Sequence, residues 1–291
     1  MFVPSEFKKV IDVKNLDNIK QSYLNILSQV VMQYISDKNL FEFKNFFATY
    51  CDEYVLNTNC HNDIFLTLYL MIDQPLNYKP NIKTKKRKSN KITIPELYMP
   101  LDKILDELFG IIAKTFNSTN LIWKTSNMIS IKSSIENDFS NVDAIYINII
   151  PCLVYHNKDN KCGVIYPKNG EVEIEYPDIL IENFNKKNKQ TKDLYRQIIV
   201  MFKNILLKDE KITTLPSEII ETILYNVPNK LFVNDQKDTL INIINFIRNH
   251  NLQDFNTIDE QDKAFTSRYR SMSPYYVKHI LKILEKFLAN N

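Results

Sequence analysis

Apolar residues recur at spacings of three and four near the start of the chain, at Ile19, Tyr23, Ile26, Leu27, Val30, Val31 and Tyr34. This spacing predicts a helix with one buried face. Leu40, Phe43, Phe46 and Phe47 continue at the same spacing and predict a second helix. From Ile64 to Ile72 the run is almost continuously apolar and rich in β-formers, which predicts a strand buried on both faces. A further helix is predicted over 100–116, with Leu101, Ile104, Leu105, Leu108, Ile111 and Ile112 facing inward. Between Trp123 and Tyr176 the period changes to two. Strands are predicted at 128–133, 144–155, 163–166 and 171–174, joined by turn residues at 157–160 and 168–170. Beyond Pro177 helical spacing returns, over 191–207, 217–225, 238–248 and 274–288.

No internal repeat recurs along the chain. Helices, then strands, then helices read as an α+β fold, with a mixed N-terminal lobe over 1–185 and a helical C-terminal lobe over 186–291. With 291 residues and 44% hydrophobic side chains, the chain can bury a sizeable core. No apolar run approaches the ~20 residues of a membrane-spanning helix. The first residues lack a charged-then-apolar leader, so the expected location is cytoplasmic, without a membrane partner.

Charge and cysteine usage add exclusions. Thirty-seven basic against 34 acidic residues leave a net charge of +3, too small to imply nucleic-acid binding by itself. Cys51, Cys60, Cys152 and Cys162 form no Cys-x-x-Cys pair and match no common zinc spacing, so they read as reduced thiols. No metal site is expected. Neither a Gly-x-Ser-x-Gly elbow nor a His-Glu-x-x-His helix occurs, which argues against the common hydrolase mechanisms. The three glycines are Gly110, Gly163 and Gly170, so a glycine-rich phosphate loop before residue 110 is excluded.

Positive charge is locally dense. Lys83, Lys85, Lys86, Arg87, Lys88 and Lys91 lie in a Pro-flanked segment, and Lys186, Lys187, Lys189 and Lys192 form a second basic stretch. Like charges so close repel and stay solvated. Lys85, Lys86, Arg87, Lys88, Lys186 and Lys187 are therefore candidate contacts for a polyanion such as RNA.

One longer pattern is more specific. Ile147-Asn148-Ile149-Ile150-Pro151-Cys152 precedes a hairpin, Tyr176-Pro177 and Ile181-Glu182-Asn183-Phe184. A helix carrying Tyr195, Arg196, Phe202, Lys203 and Asn204 follows, then Leu215-Pro216-Ser217-Glu218-Ile219-Ile220-Glu221 and Leu224-Tyr225-Asn226-Val227-Pro228. Over about residues 128–250 this closely resembles a bacterial clade of CD-NTase-like nucleotidyltransferases. They belong to the polymerase-β-like superfamily, with cyclic GMP-AMP synthase and oligoadenylate synthase as distant relatives. Over 19–72 the likeness is one of topology only.

The resemblance implies a two-lobed nucleotidyltransferase fold and says where catalytic groups should stand. Such enzymes clamp two Mg²⁺ between the attacking and leaving oxygens, using an Asp-x-Asp pair on one strand and a third Asp on a neighbour. Here Asp63 matches the first carboxylate, Phe65 replaces the second, and Asn148 replaces the third. The upstream Gly-Ser turn that cradles triphosphate is expected near Tyr50–Asp52, where no glycine stands. The family's phosphate-holding lysine and serine correspond to Lys203 and Ser217.

The implied protein is a catalytically degenerate relative, without a cofactor. It would bind nucleotide or RNA, or regulate a protein partner such as an active paralogue. The alternative is an active Mg²⁺-dependent nucleotidyltransferase, making nucleotide second messengers or adding nucleotides to RNA. It would recruit displaced carboxylates such as Asp73, Asp138 or Asp143, or use Asp63 with one metal. A third reading is a purely structural or interaction protein whose cleft is closed by aromatic packing around Phe65.

Overall fold

A computed structural model describes residue 25 and residues 46–50, 63–72, 101–115, 122–134, 144–156, 161–168, 171–208, 217–265 and 273–290. The described chain falls into two compact units, one carrying the sheet and ending at Asp178, the other running from Ile179 onward.

The sheet unit contains β1 (Phe46–Tyr50), β2 (Asp63–Ile72), α1 (Leu101–Thr115), β3 (Ile122–Lys124), β4 (Ile129–Ser134), β5 (Ala144–His156), β6 (Cys162–Lys168) and β7 (Glu171–Glu175). The strand order is β1-β2-β5-β4-β3, with β6 paired to β5 and β7 to β6. β2 and β5 run parallel, and every other pair is antiparallel. β5 is long enough to hold β4 against its first half and β6 against its last residues. This is the mixed sheet of an α+β fold.

Alternation sorts the sheet into two faces. One carries Leu68, Leu70, Ile122, Ile129, Ile131, Ile147 and Ile149, all buried. α1 packs against β5 and β3, and its Leu101, Ile104, Leu105, Leu108 and Ile112 are buried as the spacing predicts. Each such side chain contributes about 1.5–3 kcal/mol relative to exposure. The other face is more polar. At its β6 end Tyr69, Ile150, Cys152, Val164 and Tyr166 form a small buried cluster. The hydroxyls of Tyr69 and Tyr166 both donate to the Glu175 carboxylate, the latter at 2.5 Å.

One expectation is overturned here. Phe46 and Phe47, read as part of a helix, lie in β1, which pairs antiparallel with β2 from Phe46↔Ile72 to Tyr50↔Leu68. Phe-Phe-Ala-Thr-Tyr is rich in β-formers, and partnership with β2 outweighs the helical spacing. The predicted helix over 19–34 falls, apart from Asn25, outside the described residues.

The second unit holds α2 (Pro177–Gln190), α3 (Leu194–Leu207), α4 (Ser217–Asn226), α5 (Gln236–Asn249) and α6 (Pro274–Asn290). Its core gathers Phe184, Tyr195, Ile198, Phe202, Leu224, Ile243 and Leu284. Asp235 caps α5 by accepting from the Asp238 amide. The helix predicted over 191–207 begins only at Leu194, because Lys192 and Asp193 take left-handed φ angles of 53° and 67°. The α2–α3 corner is sealed by side chains. Asn188 donates to Asp193 and accepts from the Arg196 amide, while the Thr191 hydroxyl accepts from the Tyr195 amide.

Two glycines should respond oppositely to a methyl group. A Cβ on Gly163 would come within 2.7 Å of the Glu175 carbonyl and the Tyr176 ring, whereas one on Gly110 meets nothing within 4 Å. Gly163→Ala is expected to lower the melting temperature. Gly110→Ala, in the exposed middle of α1, is expected to stabilise by about 0.5–1 kcal/mol. Thermal and urea unfolding of the two variants checks both signs.

Candidate functional site

Parallel pairing of β2 with β5 brings the three positions that the sequence singles out to one face of the sheet. Asp63 lies opposite Ala144, Phe65 opposite Tyr146, and Thr67 opposite Asn148. Alternation along each strand puts positions 63, 65, 67, 146 and 148 on the more polar face. β4 extends the rows, with Lys132 opposite Tyr146 and Ser130 opposite Asn148. β3 then places Trp123 opposite Ser130.

Asn148 is half-buried, and its amide oxygen accepts a 2.6 Å hydrogen bond from the buried Ser130 hydroxyl. That oxygen is neutral and already engaged. Two hard divalent cations need several anionic oxygens. Here an amide and an aromatic residue occupy two of the three positions. Among the described residues no group of three or more His, Cys, Asp or Glu side chains could hold a metal ion.

The helical unit places the other expected residues. Ser217 is the first residue of α4, where backbone amides point outward and attract anions. Lys203, on α3, is 3% exposed, and its ammonium donates to the Glu221 carboxylate of α4 at 2.8 Å in a buried ion pair. The Tyr195 hydroxyl donates to the Glu221 carbonyl at 3.0 Å. Glu221 is the partner that the sequence reading missed. Its signal was visible, since a carboxylate stands between Ile220 and Leu224 in the buried stripe of α4.

Lys187 does not belong to a solvated stretch as the sequence suggests, because it is buried. Its ammonium donates to the Val227 carbonyl at 2.7 Å and the Asn229 amide oxygen at 3.1 Å. It also lies within 5.4–5.6 Å of the Tyr195, Tyr225 and Phe232 ring centres. Burial pushes its amine down from 10.5 to about 8. A lysine only 7% exposed and hydrogen-bonded inward is a structural peg, not a polyanion contact. Lys186, one residue earlier, is exposed on α2. Lys85, Lys86, Arg87 and Lys88 lie outside the described residues, as do Asp73, Asp138 and Asp143.

Comparison with known proteins gives this geometry a family context. Residues 182–289 match the family model of the cGAS/DncV-like nucleotidyltransferase C-terminal helical domain. The cyclic UMP-AMP synthase of Rhodothermus marinus is 29% identical over 123 residues, spanning 41% of this chain and 43% of that relative. The match therefore covers less than half of the relative's length.

Two solved structures share the fold across nearly the whole chain. The Rhodothermus marinus CdnE c-UMP-AMP synthase, with Apcpp and Upnpp, superposes with a TM-score of 0.66 at 18% identity. That match covers 99% of this chain and 92% of that one. The Elizabethkingia meningoseptica CdnE cyclic dinucleotide synthase, with GTP and Apcpp, gives 0.63 at 20% identity, covering 92% and 91%. The family-model match is thus confined to the C-terminal helical domain, and the likeness to these solved structures is one of fold.

The two buried lysines yield separate tests. Lys203→Met leaves the Glu221 charge buried without its ion-pair partner and should cost about 3–5 kcal/mol in urea unfolding. Lys203→Met with Glu221→Met should recover most of that loss. For Lys187 the folded-state pKa lies below the unfolded one. Below about pH 8 both states hold the proton and the burial cost is fully present. Between 8 and 10.5 the unfolded state holds a proton that the folded state has shed, so this contribution to stability rises with pH. Unfolding free energies of the parent and Lys187→Met should diverge in the parent's favour across that window and run parallel below it.

Proposed function

We propose that this chain, with the fold and C-terminal domain of the CD-NTase-like nucleotidyltransferases, is a catalytically degenerate member that binds nucleotide and acts as a regulatory module. The observation that carries this reading is the donor set on the polar face of the sheet. Asp63 is the one acid of the three positions, Phe65 offers no ligand atom, and Asn148 offers a neutral oxygen that Ser130 already engages. Replacing two carboxylates removes about two units of the negative charge that would offset a pair of Mg²⁺ ions. These residues do not fit two-metal catalysis.

Nucleotide binding has separate support. Ser217 at the start of α4 offers oriented amides suited to phosphate. With Lys203 held by Glu221, a phosphate at this end would rely on those amides more than on the lysine charge. A protein partner, for example an active paralogue, suits a fold that retains its C-terminal domain and has lost acids from the sheet.

A second reading is an active synthase, favoured by the relatives, which are a cyclic UMP-AMP synthase and cyclic dinucleotide synthases. Incubation with labelled ATP, GTP, CTP and UTP in Mg²⁺ or Mn²⁺ separates the two. The degenerate reading expects no cyclic or linear dinucleotide, together with a rise in melting temperature on adding ATP in EDTA. A dinucleotide product that Asp63→Ala abolishes would overturn it.

A further inference from the structure

The polar face of the sheet carries an aromatic and cationic group that the metal positions do not account for. Trp123, the sole tryptophan of the chain, stands on β3 at the end of the strand order and is 40% exposed. Its indole meets the Tyr146 ring edge-to-face, at 6.1 Å between centres and 72° between planes. The Lys132 ammonium lies 5.3 Å from the centre of the same Tyr146 ring. These three side chains come from three adjacent strands, β3, β4 and β5, so the backbone ladder fixes their spacing. Trp123 shares a register row with Ser130 and Asn148, and Lys132 and Tyr146 occupy the next row on the same face.

We propose that Trp123, Tyr146 and Lys132 form a nucleobase-stacking site, with the indole as platform and Lys132 as the contact for the attached phosphate. A large indole kept partly in water on an edge strand gives up burial that the same sheet obtains for Ile122, on the opposite face one residue earlier. An exposed π-face accepts any base, and an edge-to-face neighbour fixes its orientation while leaving a face open for stacking. The ammonium over the adjacent ring brings a point charge suited to phosphate to the same patch, which selects a nucleotide over an uncharged aromatic ligand.

This inference deepens the nucleotide-binding reading above and rests on it, but it uses residues of the sheet unit alone. The ligand is a base carrying phosphate, whether free or within a strand.

Because Trp123 is the sole tryptophan, its fluorescence reports the site directly. Titrating the full chain in EDTA with AMP, with ATP and with a short oligoadenylate RNA is expected to quench the emission saturably. Quenching by AMP and ATP identifies a free nucleotide as sufficient; quenching by the RNA alone identifies a base within a strand. Calorimetry should give about tenfold weaker binding of the quenching ligand to Trp123→Ala. Trp123→Phe, which retains a ring, should lie nearer the parent. Lys132→Gln should weaken binding and lessen its salt dependence. Circular dichroism of the variants should match the parent, since these side chains are not core residues. Binding heat with unchanged emission and parental affinity in Trp123→Ala would overturn the stacking site and leave nucleotide binding standing. No heat and no quenching with any of the three probes would overturn both.

Discussion

The parallel pairing of β2 with β5 is the constraint on which the rest depends. It joins strands far apart in sequence and fixes which residues of each share a row. With period-two alternation, a slip of β2 by one residue against β5 would put Asp63 and Phe65 on the opposite face from Asn148. The buried Leu68, Leu70, Ile147 and Ile149 hold the register in place by filling that side. Packing on one face thus determines which chemistry the other can present. The hydroxyl of Ser130 then fixes the amide of Asn148 from the neighbouring strand.

The helical unit shows the same economy with charge. Buried charges are tolerated where partners are supplied, and the two buried lysines solve this differently. Lys203 has a carboxylate from α4. Lys187 has a backbone carbonyl, a side-chain amide and three aromatic faces, which tie α2 to α3, α4 and the turn at Asn229–Leu231. Burial pushes the Lys187 amine down to about 8. Both lysines stand in segments that also resemble phosphate- or polyanion-binding sequence, yet both charges are turned inward.

Much of the fold was legible because alternation and helical spacing were strong where the core is apolar. β2, β4, β5 and α1 fall within a residue or so of their expected bounds. α2 was not legible, and the reason is physical. Its inward positions run Leu180, Ile181, Phe184, Lys187, Asn188 and then Thr191 at the corner, so the buried stripe turns polar halfway along. A rule that equates burial with apolar side chains stops at Phe184 and reads the rest as a solvated basic stretch. β1 failed for the opposite reason, since two phenylalanines at helical spacing were claimed by a sheet edge. Of the site, positions 63, 65 and 148 were readable as a motif. Their shared face needed the register, and the Lys203–Glu221 pair needed the packing of α3 on α4.

Manganese titration in the presence of a non-hydrolysable nucleoside triphosphate, read by electron paramagnetic resonance, tests the central claim most directly. The parent chain is expected to show no spin-coupled pair of ions, while Phe65→Asp with Asn148→Asp, which restores two acids to the face, should gain one. A coupled pair in the parent, lost on Asp63→Ala, would contradict the claim that this face cannot hold two metals.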